Sequence, residues 1–415
     1  MNAETIRLIY LIFFFLELGW GTALSLLNIR RIRKNREKVP DAFAGLVEEQ
    51  TYARAASYNL ERGRFSVISD IFSSLVVLAL IFSGTLGLLD ALCRDTGLHP
   101  YFAGILFIFA VSLIFYFFSL PFSLYSHFAI EQRYGFNKMT PSLFVRDAVK
   151  GLALSGLVCA PLLLVLFWFM DTAGNLWWII AFAFTAAFQL FLSLLYPLVI
   201  APLFNKFTPL EEGSLKEKIS ALAEKLSFGV NGIFVMDGSR RSHHSNAYFT
   251  GLGRVKRIVL FDTLLTSLSE GEILAVLAHE IGHEKKKHIY RRLAASFLML
   301  LAAFFIVNLL YRREPLFAAF GFSAVSYQGI FVILSFCSGP FTFFLTPLFT
   351  SVSRRHEYEA DRYAARAGFA RELEGALLRL GKDNLTNLTP HPLYSFYHYS
   401  HPTLAERIAA IRKAA

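Results

Sequence analysis

Seven long apolar runs, separated by polar stretches, constrain this chain more than anything else in it. They fall at about 6–28, 66–92, 101–127, 149–171, 176–200, 292–311 and 328–350. Each comes near the roughly 20 residues that a helix needs to cross the hydrocarbon of a bilayer. Charged residues are 17% of the 415, against about 25% in soluble domains. The expected fold is therefore mostly α: a polytopic membrane protein of seven transmembrane helices, with the lipid bilayer as its first partner. The first run is too long for a signal peptide and lacks a cleavage-like end, so it is read as a retained helix.

Net charge is +10, a value that a nucleic-acid binder would also show, but its distribution fits a membrane. Arg30, Arg31, Arg33, Lys34, Arg36 and Lys38 follow the first run, and Arg133, Lys138, Arg146 and Lys150 lie between the third and fourth. The loops at 93–100 and 172–175 are nearly free of cations; only Arg312 and Arg313 break the pattern. The positive-inside rule then places the N-terminus outside and the C-terminus inside, with no role for nucleic acid. Cys93, Cys159 and Cys337 lie in or beside apolar runs and form neither a metal-ligand spacing nor a disulfide framework.

Four regions follow: membrane helices one to five over 1–204, a polar insertion over 205–291, helices six and seven over 292–350, and polar helices over 351–415. In the insertion, Ser214 and Glu217 have capping-box spacing, followed by Leu215, Ile219, Leu222 and Leu226 at helical intervals. Short β-prone runs at 233–236, 247–250 and 257–261, with turn signals at Asp237-Gly238 and Gly251-Leu252-Gly253, predict a small antiparallel sheet.

The chemistry lies just beyond, in His279-Glu280-Ile281-Gly282-His283. Residues four apart share a helix face, so two imidazoles can meet one zinc ion while Glu280 serves as a base. Chance alone would place such a string in about one chain in a hundred of this length, so its surroundings must decide. Ser269 and Glu272 form a capping box upstream, and 273–278 runs into the motif without a breaker. Gly282 lowers helix propensity by roughly 1 kcal/mol and is read as keeping space beside the metal.

A catalytic zinc takes three protein ligands and one open position. The third is expected just after the seventh run, where Glu357 and Asp361 share a helix face. Glu357 would bind the metal and Asp361 would accept a hydrogen bond from the far nitrogen of one histidine. His356 is a rival ligand; Glu359 and His288 are read as pointing elsewhere. Asn246, Ala247 and Tyr248 are the candidate edge that binds a peptide as an added strand. His401 is a candidate donor to the oxyanion, and Arg407 a candidate contact for Glu357 or the substrate terminus.

At these residues the chain resembles the integral-membrane CAAX prenyl proteases of the zinc metallopeptidase type. The resemblance is carried by EQRYGFN at 131–137, PLFNKFTPL at 202–210, GSRRSHHSNAYF at 238–249 and RIVLFDTLL at 257–265. The metal motif, LFAAFGF at 316–322, EYEAD at 357–361 and HYSHP at 398–402 follow. It implies a seven-helix bundle around a large water-filled chamber, with one zinc at its cytoplasmic end. It also implies His279, His283 and Glu357 as ligands, Glu280 as base and Asp361 as a carboxylate behind the ligands or a proton donor. Asn246 would lie on the substrate strand, with His401 and Arg407 beside the site.

The expected activity is hydrolysis of peptide bonds in a peptide or protein substrate, prenylated at its C-terminus or not. A quality-control protease for membrane proteins is the nearest alternative. A metal transporter is the alternative of another class, but the ionisable ligands lie at or beyond span ends rather than at the bilayer midplane. The C-terminal Arg412-Lys413-Ala414-Ala415 shows no evident endoplasmic-reticulum retention signal, and a bacterial inner membrane is the expected location.

Overall fold

The computed structural model describes residues 1–244, 246–250 and 256–414; the turn signal at 251–253 lies outside them. Among the described residues, seven helices are long and apolar enough to cross a membrane. The spans are Ala3–Asn35, Glu49–Phe82, Pro100–Glu131, Pro141–Thr172, Gly174–Phe204, His288–Leu310 and a last one opening at Tyr327. Only 6–33% of each most apolar window is buried within the protein. The helices therefore leave most of their surface to lipid or to enclosed space.

Two runs depart from one straight helix each. The second starts earlier, at Glu49, and ends at Phe82; Gly84, at φ +75°, turns the chain into a separate helix over Thr85–Arg94. That left-handed conformation suits a residue without Cβ. The short helix buries Asp90, which accepts from Gln328 Nε2 (2.7 Å) and pairs with Arg94 (3.0 Å). The seventh run divides into Tyr327–Thr342, a tight turn at Phe343–Leu345, and Thr346–Ala364. Pro347 sits in the first turn of that second piece, where its missing N–H costs nothing. The boundaries drawn at 291/292 and 350/351 fall inside the helices His288–Leu310 and Thr346–Ala364.

The polar insertion holds a four-stranded sheet: β1 (Phe207–Pro209), β2 (Ile233–Met236), β3 (Ala247–Thr250) and β4 (Arg257–Phe261), in the order β1-β2-β4-β3. The expected all-antiparallel sheet is corrected here, because β2 and β4 pair in parallel. Asp237-Gly238 does not close a hairpin. It enters a helical turn at Gly238–Arg240, and the chain then bridges from Ser242 to Asn137 before returning as β3. This detour leaves the place beside β2 to β4 and puts β3 at the edge.

The Ser214 capping box also fails to form. Gly213 takes the cap position, and Ser214 Oγ donates instead to Glu270 (3.2 Å). The helix still buries Ile219 and Leu222 as its spacing predicts. One apolar core unites it with the sheet, the helix Glu270–Lys285 and the C-terminal helices Ala370–Asp383 and Leu404–Ala414 through Leu260, Ile273, Ala364, Leu373 and Ile411.

Candidate metal centre

The H-E-x-x-H motif occupies the second half of the helix Glu270–Lys285, here the metal helix. Both halves of the Ser269–Glu272 capping box are made: the Ser269 hydroxyl accepts from Glu272 N–H (3.4 Å), and Glu272 Oε2 accepts from Ser269 N–H (2.8 Å). Ile273, Leu277 and Ile281 pack one side into the core. His279 and His283 face the seventh-span extension Thr346–Ala364, here the ligand helix, and both are buried.

Gly282 faces that helix rather than the metal. A Cβ there would stand 3.1 Å from Ala360 Cα and 3.2 Å from Ala360 O, so glycine lets the two helices close. Gly282→Leu is expected to destabilise the protein by about 1–3 kcal/mol through overpacking and to lower its metal content. Denaturation and metal analysis on the same preparation check this; an unchanged variant would show that the helices do not need the close approach.

The approach brings Glu357 between the two histidines. His283 Nε2 lies 3.2 Å from His279 Nε2 and 3.3 Å from Glu357 Oε1; His279 Nε2 lies 3.5 Å from Glu357 Oε2. A tetrahedral zinc with bonds of roughly 2.0–2.2 Å has ligand–ligand edges of about 3.3–3.6 Å. The three groups therefore fit zinc in donor type, number and spacing. Among the described residues they form the one cluster of His, Cys, Asp and Glu close enough to share an ion.

The electrostatics also favour a cation. Burial works against a charged His279, yet the Asp361 and Glu357 carboxylates outweigh it and push its pKa up to about 9. Asp361 Oδ1 lies 2.8 Å from His279 Nδ1, which turns Nε2 toward Glu357. Arg407 in turn holds Asp361 with two bonds, Nε to Oδ2 (2.9 Å) and Nη2 to Oδ1 (2.6 Å), and stands 4.0 Å from Glu357. Its guanidinium thus serves Asp361 and stands within ion-pair reach of Glu357, one of the two contacts read for it from the sequence.

Arg407→Ala would take from the fully buried Asp361 carboxylate its one permanently charged partner, leaving only the His279 ring beside it. Breaking such a pair costs about 3–5 kcal/mol. The expected result is a marked fall in Tm, mostly restored in Arg407→Ala/Asp361→Asn, where no buried charge is left unpaired. Equal thermal stability of Arg407→Ala and wild type would contradict the pairing.

A cavity opens over the three ligand candidates, lined also by Glu280, Tyr248, Phe249 and His401. β3 forms its wall as the edge strand. Phe261 N–H donates to Asn246 O (3.1 Å), so by antiparallel alternation Ala247 and Phe249 direct their backbone groups to the free side. Asn246 is exposed, and its Oδ1 accepts from Ala247 N–H (2.8 Å). His401 is largely exposed, with Nε2 3.5 Å from Glu357 Oε1. His356 lies outside the ligand set, stacked on His288 at 4.0 Å.

A family model described as CAAX prenyl protease N-terminal, five membrane helices, matches residues 28–206; one described as peptidase family M48 matches residues 209–415. "CAAX prenyl protease 1" of Saccharomyces cerevisiae is 38% identical, covering 93% of this chain and 91% of its own length. The chain belongs to peptidase family M48. "CAAX prenyl protease 1 homolog" of Homo sapiens is 35% identical over 95% of this chain and 92% of the relative. The crystal structure of S. mikatae Ste24p superposes with a TM-score of 0.92 at 34% identity, covering 98% of both chains. As an M48 member, the protein is a multi-pass membrane zinc metalloprotease acting on a peptide or protein. The low burial of its spans is consistent with a chamber inside the Ste24p-like frame.

Two groups near the M48 site escape sequence reasoning. His288 follows His283 by five residues, a spacing that on one helix points away from the metal. The metal helix ends at Lys285, and Lys287, at φ +57°, resets the register before His288 opens the sixth span. His288 Nδ1 then lies 3.0 Å from His283 Nδ1, and His288 Nε2 lies 3.1 Å from Glu359 Oε2. A non-glycine residue in the left-handed region leaves no reliable sequence signal.

Proposed function

We propose that this protein cleaves peptide bonds near the prenylated C-terminus of CAAX-type substrates, using one zinc ion held by His279, His283 and Glu357 and a site that faces the cytoplasm. The observation that carries the reading is the convergence, in one cavity, of three ligand groups, the Glu280 carboxylate and the free edge of β3. The printed names of the relatives support the CAAX substrate class. The cation-rich loops after the first and third spans support the cytoplasmic orientation. The membrane proposed for it is a bacterial inner membrane.

Zinc, when bound, supplies Lewis acidity to the scissile carbonyl and to the attacking water. The chain's own groups do the rest. The Ala247 carbonyl and the Phe249 N–H and carbonyl offer backbone hydrogen bonds that fix an extended peptide beside β3, the Ala247 N–H being held by Asn246 Oδ1. Glu280 takes a proton from the attacking water and passes it to the leaving amine. His401 donates to the oxyanion as the carbonyl becomes tetrahedral. Asp361, held by Arg407, fixes His279 in the tautomer that leaves Nε2 free to bind.

The test is a cleavage assay on the protein in lipid nanodiscs, offering a farnesylated C-a-a-X peptide beside its unprenylated twin. Selective cleavage of the farnesylated peptide is expected. Equal cleavage of both would favour the quality-control reading. Metal flux in proteoliposomes without any cleavage would favour a transporter.

A further inference from the structure

Each metal-binding histidine of a zinc site usually gives its second N–H to an acceptor that fixes the ring. His279 meets the Asp361 carboxylate directly. Among the described residues, no carboxylate stands at His283 Nδ1, which meets another imidazole instead. We propose that His288 and Glu359 form an outer relay that positions His283 for the metal, and that this relay sets how tightly the metal is held.

The directions of the bonds follow from the geometry. His283 turns Nε2 toward His279 and Glu357, so its proton lies on Nδ1. His288 Nδ1, 3.0 Å away, must accept that proton's hydrogen bond, since two N–H groups cannot face each other. His288 therefore carries its own proton on Nε2 and donates it to Glu359 Oε2, 3.1 Å away. One tautomer of each ring satisfies the whole chain, and reversing either would break two bonds.

The surroundings hold the relay in place. His288 is completely buried, and His356 stacks on its face at 4.0 Å with an interplanar angle of 14°. Glu359 is fixed from the solvent side by Arg355 (3.2 Å) and Arg291 (3.8 Å). The relay also joins three elements: the metal helix, the sixth span that opens with His288, and the ligand helix that carries Glu359. Two histidines at (i, i+4) are thus supported unequally, one by a carboxylate and the other by a carboxylate acting through a neutral ring.

This inference rests on His279, His283 and Glu357 holding the zinc, so Glu357→Ala runs beside every variant as a control. Zinc affinity of the full-length protein is measured by chelator competition, and the cobalt form is followed by its visible absorption bands. His288→Ala is expected to weaken zinc binding by about 10–100-fold and to alter the cobalt bands. In His288→Gln the amide oxygen can accept from His283, and affinity is expected to return to within about threefold of wild type. Glu359→Ala, in a partly exposed position, tests the outer end even if His288→Ala fails to fold; a loss of about 3–10-fold is expected there. Wild-type affinity and cobalt bands in a folded His288→Ala or in Glu359→Ala would overturn the relay. Equal weakening by His288→Ala and His288→Gln would also overturn it, by assigning His288 a packing role. Undiminished zinc in Glu357→Ala would instead refute the ligand set.

Discussion

Glu280→Gln retains its zinc and loses peptide cleavage by about 10²–10⁴-fold, the range that a positioned general base contributes. The substitution keeps the shape and both heavy-atom positions of the side chain but removes the ability to accept a proton. Glu280 lines the cavity beside His279 and His283 without joining the cluster that can share an ion. Metal content and activity should therefore separate. Metal analysis and a single-turnover assay on the same preparation check this, and an active Glu280→Gln enzyme would remove Glu280 from the reaction.

Glu357→Ala does the opposite, removing metal and activity together. Glu357 is buried and presents one oxygen to each histidine. Without it, two imidazoles and water would have to hold the ion, and the buried rings would lose a charge partner. Zinc content is expected to fall to a small fraction of one ion per chain after dialysis against a weak chelator. Unchanged content would point to a different ligand. His356 is a poor substitute, because its ring is stacked on His288.

Much of this architecture is legible in the sequence. Long apolar runs force helices in a bilayer, since every backbone polar group must be satisfied within its own segment. The capping box at Ser269 marks the start of the metal helix because both of its bonds are local. The shared face of Glu357 and Asp361, turned toward His279, is readable because a helix makes neighbours of residues four apart.

The illegible features all depend on distant partners or on unusual backbone. Ser214 has the spacing of a cap, but Glu270, far along the chain, takes its hydroxyl. The parallel pairing of β2 and β4 depends on the Ser242–Asn137 bridge, a contact between segments about a hundred residues apart. His288 returns to the metal only through the left-handed turn at Lys287. Gly282 looked like space for a metal and proved to be space for a helix.

The most direct test of the account is an anomalous difference map at the zinc edge, from crystals of the wild-type protein. The account predicts a single strong peak within roughly 2.0–2.3 Å of His279 Nε2, His283 Nε2 and a Glu357 oxygen, with Glu280 facing the open position. No peak at that point, or a peak ligated by His288 or His356, would contradict it.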